Sequence, residues 1–295
     1  MKRSSFAYAA AAYVLWGLFP IYWKWLQHVD ALQVIGHRIV WSFVILMLFL
    51  IIKRQFNDFS HAVMNRRAFL LYFTAATLIG SNWLVYVWAV NHDFIIEASL
   101  GYFIFPLLSI LIGVLFLRER MRPLQWIPIG LAAFGVVFLS ITYGRLPWIA
   151  LALSFTFALY GLIKKLAPLD TFLGQTFEAG ILFIPALLYL LYANSSGSGV
   201  FLRINRNIDF LLIGAGVITT IPLLLFSSAA KRLPLYMLGI LQYIAPTIAF
   251  LLGTLVYREP FSASHLIGFV MVWSALVFFA VEGIWMNSIS NHNRR

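Results

Sequence analysis

The sequence predicts an all-α, polytopic membrane protein of ten transmembrane helices, arranged as two inverted five-helix repeats. Three observations carry that prediction. Of the 295 residues, 62% are hydrophobic and only 11% are charged, against about 25% charged in a soluble globular chain. The apolar residues gather in ten long runs. The segment IIEASLGYFIFPLLSILIGVLFLRER at 95–120 returns as LYMLGILQYIAPTIAFLLGTLVYREP at 235–260. Pro106 is matched by Pro246, Gly113 by Gly253, and the pair Arg118 and Glu119 by Arg258 and Glu259.

The runs are 6–26, 33–52, 68–90, 95–117, 124–141, 147–164, 172–192, 209–230, 235–257 and 263–286. Each is close to the ~20 predominantly apolar residues that a helix needs to cross a bilayer. The first follows Lys2 and Arg3 like a signal peptide. It continues to Leu26 without a small-residue cleavage site, so a retained helix is expected. The second ends in KRQFNDFSHAVMNRR, a basic loop expected to rest on anionic headgroups. NHD closes the third run and RERMRP the fourth. NSSGSG, read as a flexible loop over Ser195–Gly199, closes the seventh, and KRLP closes the eighth. Helices are required because backbone groups in lipid must be satisfied within the segment. The short alternating segments of a barrel are not seen.

Charge sets the expected orientation. With the N-terminus cytoplasmic, fifteen Lys and Arg residues fall inside and five outside, with Arg38 left inside a helix. That asymmetry predicts both termini in the cytoplasm. The net charge of +11 is therefore read as an address for the bilayer and not as a nucleic-acid surface. The absence of cysteine excludes disulfides, thiolate metal sites and a cysteine nucleophile.

The repeat spans half the chain. One domain, 1–295, is expected to hold repeat 1 at about 6–141 and repeat 2 at about 147–286. The match extends to Leu15, Trp16, Gly17 and Leu18 against Leu159, Tyr160, Gly161 and Leu162. Five spans is an odd number, so the second copy crosses the membrane in the opposite sense. Inverted repeats of this kind mark transporters that alternate access around a central site.

HRIVWSF (37–43), GSNWLVYVWAVN (80–91), EASLGYFIFPL (97–107), LYGLIKK (159–165), TTIPLLLFSSAAKRLPL (219–235) and LQYIAPT (241–247) resemble the RarD-type permeases. These belong to the EamA family of the drug/metabolite transporter superfamily. The resemblance covers nearly the whole chain and implies a ten-helix inner-membrane transporter. The chain departs from the family at Phe105, where Asn usually precedes the proline. The departure implies a less polar solute.

Polar residues in the runs supply the candidate site. Arg38 and Glu97 both lie in the outer portion of runs that enter from outside, and an ion pair between them is expected. Direct solute contact by Arg38 and proton coupling through Glu97 or His37 stand beside that reading. Glu178 occupies the repeat position of Arg38 and is given a packing role. Glu282 is expected to be solvated, and the Arg118–Glu119 and Arg258–Glu259 pairs to bridge locally. Trp16, Asn82, Trp83, Tyr102, Tyr160, Gln242 and Tyr243 form a candidate solute lining. Tyr102 and Gln242 each stand four residues before a proline. Gly101, Pro106, Gly239 and Pro246 are candidate hinges.

These features favour a secondary-active exporter of small metabolites or drug-like solutes that works by alternating access. A channel or a scaffold is the alternative. An integral-membrane enzyme is less favoured, because no HExxH, nucleophile elbow or paired His and carboxylate at metal spacing occurs. No Walker A motif occurs either. No metal or cofactor is expected, and the partners are the lipid bilayer and a small solute. The residues leave the solute, its direction, the coupling ion and the oligomeric state open.

Overall fold

The computed structural model describes residues 3–92, 94–143 and 146–258, together with 267, 270, 273, 274, 277, 278 and 281. The described elements are helices: α1 Arg3–Trp25, α2 Ala31–Ile52, α3 Phe56–Met64, α4 Arg66–Asn91, α5 Ile95–Leu117, α6 Trp126–Tyr143, α7 Trp148–Leu166, α8 Thr171–Ser195, α9 Arg206–Ala230, α10 Leu235–Gln242 and α11 Ile244–Leu251. A π-helical turn, Leu252–Val256, follows α11. With α10, α11 and that turn counted as one span, and short α3 set aside, these are the first nine of the ten expected spans. The tenth run falls mostly outside the described residues, as do Glu259, Pro260 and Glu282. From within it, Trp273 donates to the Thr247 hydroxyl at 3.0 Å and so docks that segment on α11.

The face at which α1 begins is called proximal here, and the other distal. Two aspartates just ahead of long runs mark helix starts. Asp30 accepts from the Leu32 and Gln33 amides and starts α2 at the distal face. Asp170 accepts from the Phe172 and Leu173 amides and starts α8 at the proximal face. The two caps are 140 positions apart and do the same work, satisfying amides that have no partner inside the helix. Arg118 and Arg258, also 140 apart, both adopt the left-handed region at φ 52°.

The two halves interleave. α1 packs on α9 and α11, and α7 packs on α4 and α5, so the first span of each half lies against the third and fourth spans of the other. α2 packs on α8, and α5 on α10. At that last crossing, a Cβ on Gly239 would sit 2.7 Å from the Pro106 carbonyl oxygen. Gly239 is thus a close-approach residue, and so is Gly101, whose Cβ would meet the Ala150 carbonyl at 3.3 Å. Both candidate hinges thus stand at helix crossings, where small residues let backbones approach in lipid.

The matched prolines behave differently. α5 continues as one helix through Pro106. The second copy breaks at Tyr243, between α10 and α11. Pro246 lacks the N–H that would have bonded the Gln242 carbonyl. Tyr243 turns its own amide to Ile240 at 3.3 Å instead.

Two loops also differ from expectation. The basic stretch after α2 contains α3, whose Phe59 and Val63 pack against Tyr72 and Phe177. The Ser195–Gly199 loop is held by Gln33, which donates to the Ser198 carbonyl at 2.8 Å and accepts from the Val200 amide at 3.1 Å. Phe201 then lies against His37 and Trp41, with ring centroids 5.1 and 5.8 Å away.

Candidate functional site

Arg38 lies seven residues into α2, about 10 Å from the distal end at ~1.5 Å per residue. Its guanidinium stands 3.9 Å over the Trp83 ring and 5.6 Å from Trp23. A cation at such depth costs roughly 2.5–3.5 kcal/mol on insertion scales. Desolvated stacking on an indole returns about 2 kcal/mol. The expected ion pair with Glu97 is not formed. Glu97 is buried and accepts from the Ile149 amide at 2.7 Å, at the start of α7. The two side chains differ in depth and in direction, since Glu97 stands in the first turn of α5.

Tyr102, seven residues into α5, lies within electrostatic reach of Arg38. Its ring meets that of Tyr86 at 6.5 Å and 72°, in an edge-to-face pair. Tyr102 is 43% exposed and Tyr86 40%. α2 and α5 make no extensive contact with each other. The space between them is therefore bridged by side chains: Arg38 on one side, Tyr102 on the other, and Trp83 and Tyr86 of α4 as the wall. Asn82, one position from Trp83, spends its amide nitrogen on the Leu153 carbonyl and the Thr156 hydroxyl, at 2.7 and 2.9 Å. Its carbonyl oxygen remains as an acceptor. The result is an aromatic-walled opening with one cation and a few oriented polar groups, the usual makeup of a small-molecule site.

The other expected lining residues are elsewhere. Tyr243 is buried and donates to the Phe103 carbonyl at 3.1 Å, pinning the α5–α10 crossing. Gln242 is buried beside it with its Oε1 unpaired, and no hydrogen bond joins it to Tyr102. Trp16 packs among Tyr13, Phe157 and Phe226. Phe105 is buried in the same core, with its ring 4.8 Å from Phe157. His37 is buried, and its Nδ1 has no partner.

Tyr160 belongs to a second cluster, at the proximal end, that sequence reasoning missed. Lys164 Nζ stands 2.6 Å from Glu178 Oε1 and 3.3 Å from Gln175 Oε1. The Tyr160 hydroxyl donates to Glu178 Oε2 at 3.0 Å. The two charged side chains are 2% and 1% exposed. Lys164 reads as a loop cation in the sequence, yet it is core. Its signal is the four-residue spacing from Tyr160, which sets both on one face of α7.

The same end carries a second tie. Glu119 accepts from the Leu235 and Tyr236 amides at 2.7 and 3.1 Å, capping α10, and stands 3.4 Å from Lys165. A Cβ on Gly113 would sit 2.6 Å from the Glu119 carboxylate, so a larger residue there would push the carboxylate off this position. The pair Arg118 and Glu119 is thus no local bridge: the arginine turns the chain and the glutamate caps a helix 116 residues away. Lys165 donates to the Leu233 carbonyl and Lys231 to that of Leu169.

A model described as the EamA-like transporter family matches residues 3–141 and again 144–281. An uncharacterized transporter of Bacillus subtilis, YojE, is 44% identical over 97% of this chain and 96% of its own. Protein RarD of Escherichia coli is 39% identical over 96% of each. A crystal structure 15% identical in sequence superposes with a TM-score of 0.72, over 97% of this chain and 99% of that one. It shares the fold.

Proposed function

The chain belongs to the EamA-like transporter family, and we propose that it is a secondary-active exporter of small metabolites or drug-like solutes, working by alternating access. The proximal face is the cytoplasmic one in this reading, with both termini on it. The solute binds between α2, α4 and α5, against Arg38, Trp83, Tyr86 and Tyr102, with Asn82 beside them.

The observation that carries the reading is an asymmetry between the two ends. Near the distal end, aromatic side chains and one cation border an open space. At the proximal end, Lys164 with Glu178, Lys165 with Glu119, and Lys231 with the Leu169 carbonyl tie the helices together. The reading involves carriage without covalent chemistry.

The test is counterflow in proteoliposomes, run with solutes first selected by thermal shift. A carrier takes up trace labelled solute faster, and transiently above equilibrium, when unlabelled solute is loaded inside. Uptake that is non-saturable and indifferent to internal solute means a channel, and sinks the proposal.

A further inference from the structure

We propose that Arg38 is the anion-binding group of the opening, and that the solute it takes is a small carboxylate with a flat apolar body. The proposal rests on reading the opening as the solute site.

It starts from an inventory of negative charge. The chain has ten acidic residues, and those described are committed elsewhere. Asp30 and Asp170 cap α2 and α8. Glu97 and Glu119 hold amides at the starts of α7 and α10. Glu178 pairs with Lys164. Asp209 accepts from the Leu202 amide at 2.7 Å, and Asp58 is exposed on α3. Among the described residues no carboxylate pairs with Arg38, and its buried Nε has no hydrogen-bond acceptor.

A guanidinium stacked on an indole uses its face and leaves its in-plane N–H groups free. Those donors form a planar fork that matches the two oxygens of a carboxylate. A half-buried cation without an internal counter-charge repels amines and gains little from neutral solutes. An anion neutralises it and completes its hydrogen bonds at once. The rest of the opening selects the body. Tyr86 and Tyr102 offer ring faces and edges that suit a flat apolar group. The Asn82 carbonyl accepts one further donor and is too weak a partner to neutralise the arginine.

The test uses three near-isosteric probes on the full chain in nanodiscs at neutral pH: 3-phenylpropionate, 3-phenylpropionamide and 3-phenylpropylamine. Binding is read by tryptophan fluorescence and by shift in the unfolding temperature. The acid should bind about tenfold more tightly than the amide, the margin between a charge-assisted and a neutral hydrogen bond. The amine should not bind. Arg38→Gln should erase the preference for acid over amide, and Arg38→Lys should keep part of it. Unfolding of the empty Arg38→Gln protein checks the fold, and it should be no less stable than the parent. An amide that binds as well as the acid overturns the assignment. So does a preference that survives in Arg38→Gln, or failure of the acid to bind. Counterflow separates this proposal from the carrier reading. An acid that binds through Arg38 but shows no counterflow keeps the anion site and removes the carrier. Counterflow of the amide or amine but not the acid does the reverse.

Discussion

Replacing Lys164 with Met leaves the Glu178 carboxylate in a pocket where its side chain is 1% exposed, with the Tyr160 hydroxyl as its remaining partner in the cluster. Both Glu178 oxygens are occupied in the parent, one by Lys164 at 2.6 Å and one by Tyr160 at 3.0 Å. Removing one partner of such a buried pair costs about 3–5 kcal/mol, because an uncompensated charge stays behind. Glu178→Leu strands Lys164 in the same way, with Gln175 at 3.3 Å and the Tyr72 and Tyr160 rings for company. The double variant removes both charges and fills the space with apolar atoms. Its stability should lie within about 2 kcal/mol of the parent, since apolar replacement of a buried pair is often neutral or better. The coupling energy across the cycle should therefore be several kcal/mol, well above the ~0.3–0.5 kcal/mol scatter of independent sites. Tyr160→Phe tests the third member and should cost about 1.5–3 kcal/mol, the range for a hydrogen bond to a charged group. The assay is reversible unfolding of the reconstituted protein in mixed micelles. Additive single losses, or single losses below about 1 kcal/mol, would refute the reasoning.

Gly239→Ala should lower stability by about 1–3 kcal/mol, because its Cβ would meet a backbone oxygen at 2.7 Å that cannot step aside. Gly161→Ala, 3.6 Å from the edge of the Phe226 ring, should cost much less in the same unfolding assay. The natural absence of cysteine permits a direct check of orientation. Cysteines at Ser60 and Arg122 should resist an impermeant thiol reagent in intact cells, and one at Ser196 should be labelled.

The spans and the half-chain repeat were legible because both are written in linear pattern. Apolar length gives a span, and spacing gives a repeat. Depth was legible only in part: Arg38 lies seven residues into α2, whereas Glu97 stands in the first turn of α5. What a count of residues along two helices does not supply is azimuth. Arg38 turns to Trp83 and Glu97 to the start of α7, so the pair inferred from depth alone does not form. Lys164 shows the converse error. Three residues from a helix end it reads as solvated, but α8 covers it with Glu178. The cap that Glu119 places on α10 had no local signal, because its partner amides lie in the other half of the chain. The sequence singled out Asn82, Trp83 and Tyr102 as candidates because polar and amphipathic groups inside apolar runs are conspicuous. Tyr86, which shares their opening, was passed over as one more aromatic in a chain that is 17% aromatic.

The caps that cross between halves bear on how the protein is made. Glu119 finds the amides of Leu235 and Tyr236 only after another 116 residues have been added. Glu97 waits 52 residues for Ile149. At ~5–20 residues per second, the longer gap is about 6–23 s of synthesis. For most of that interval the first five spans sit in the membrane while the Glu119 carboxylate lacks the amides it will cap. The newborn half is an intermediate with an unfilled cap and a fixed lifetime. Anything that stalls the ribosome between the halves should expose it to the membrane's quality-control proteases.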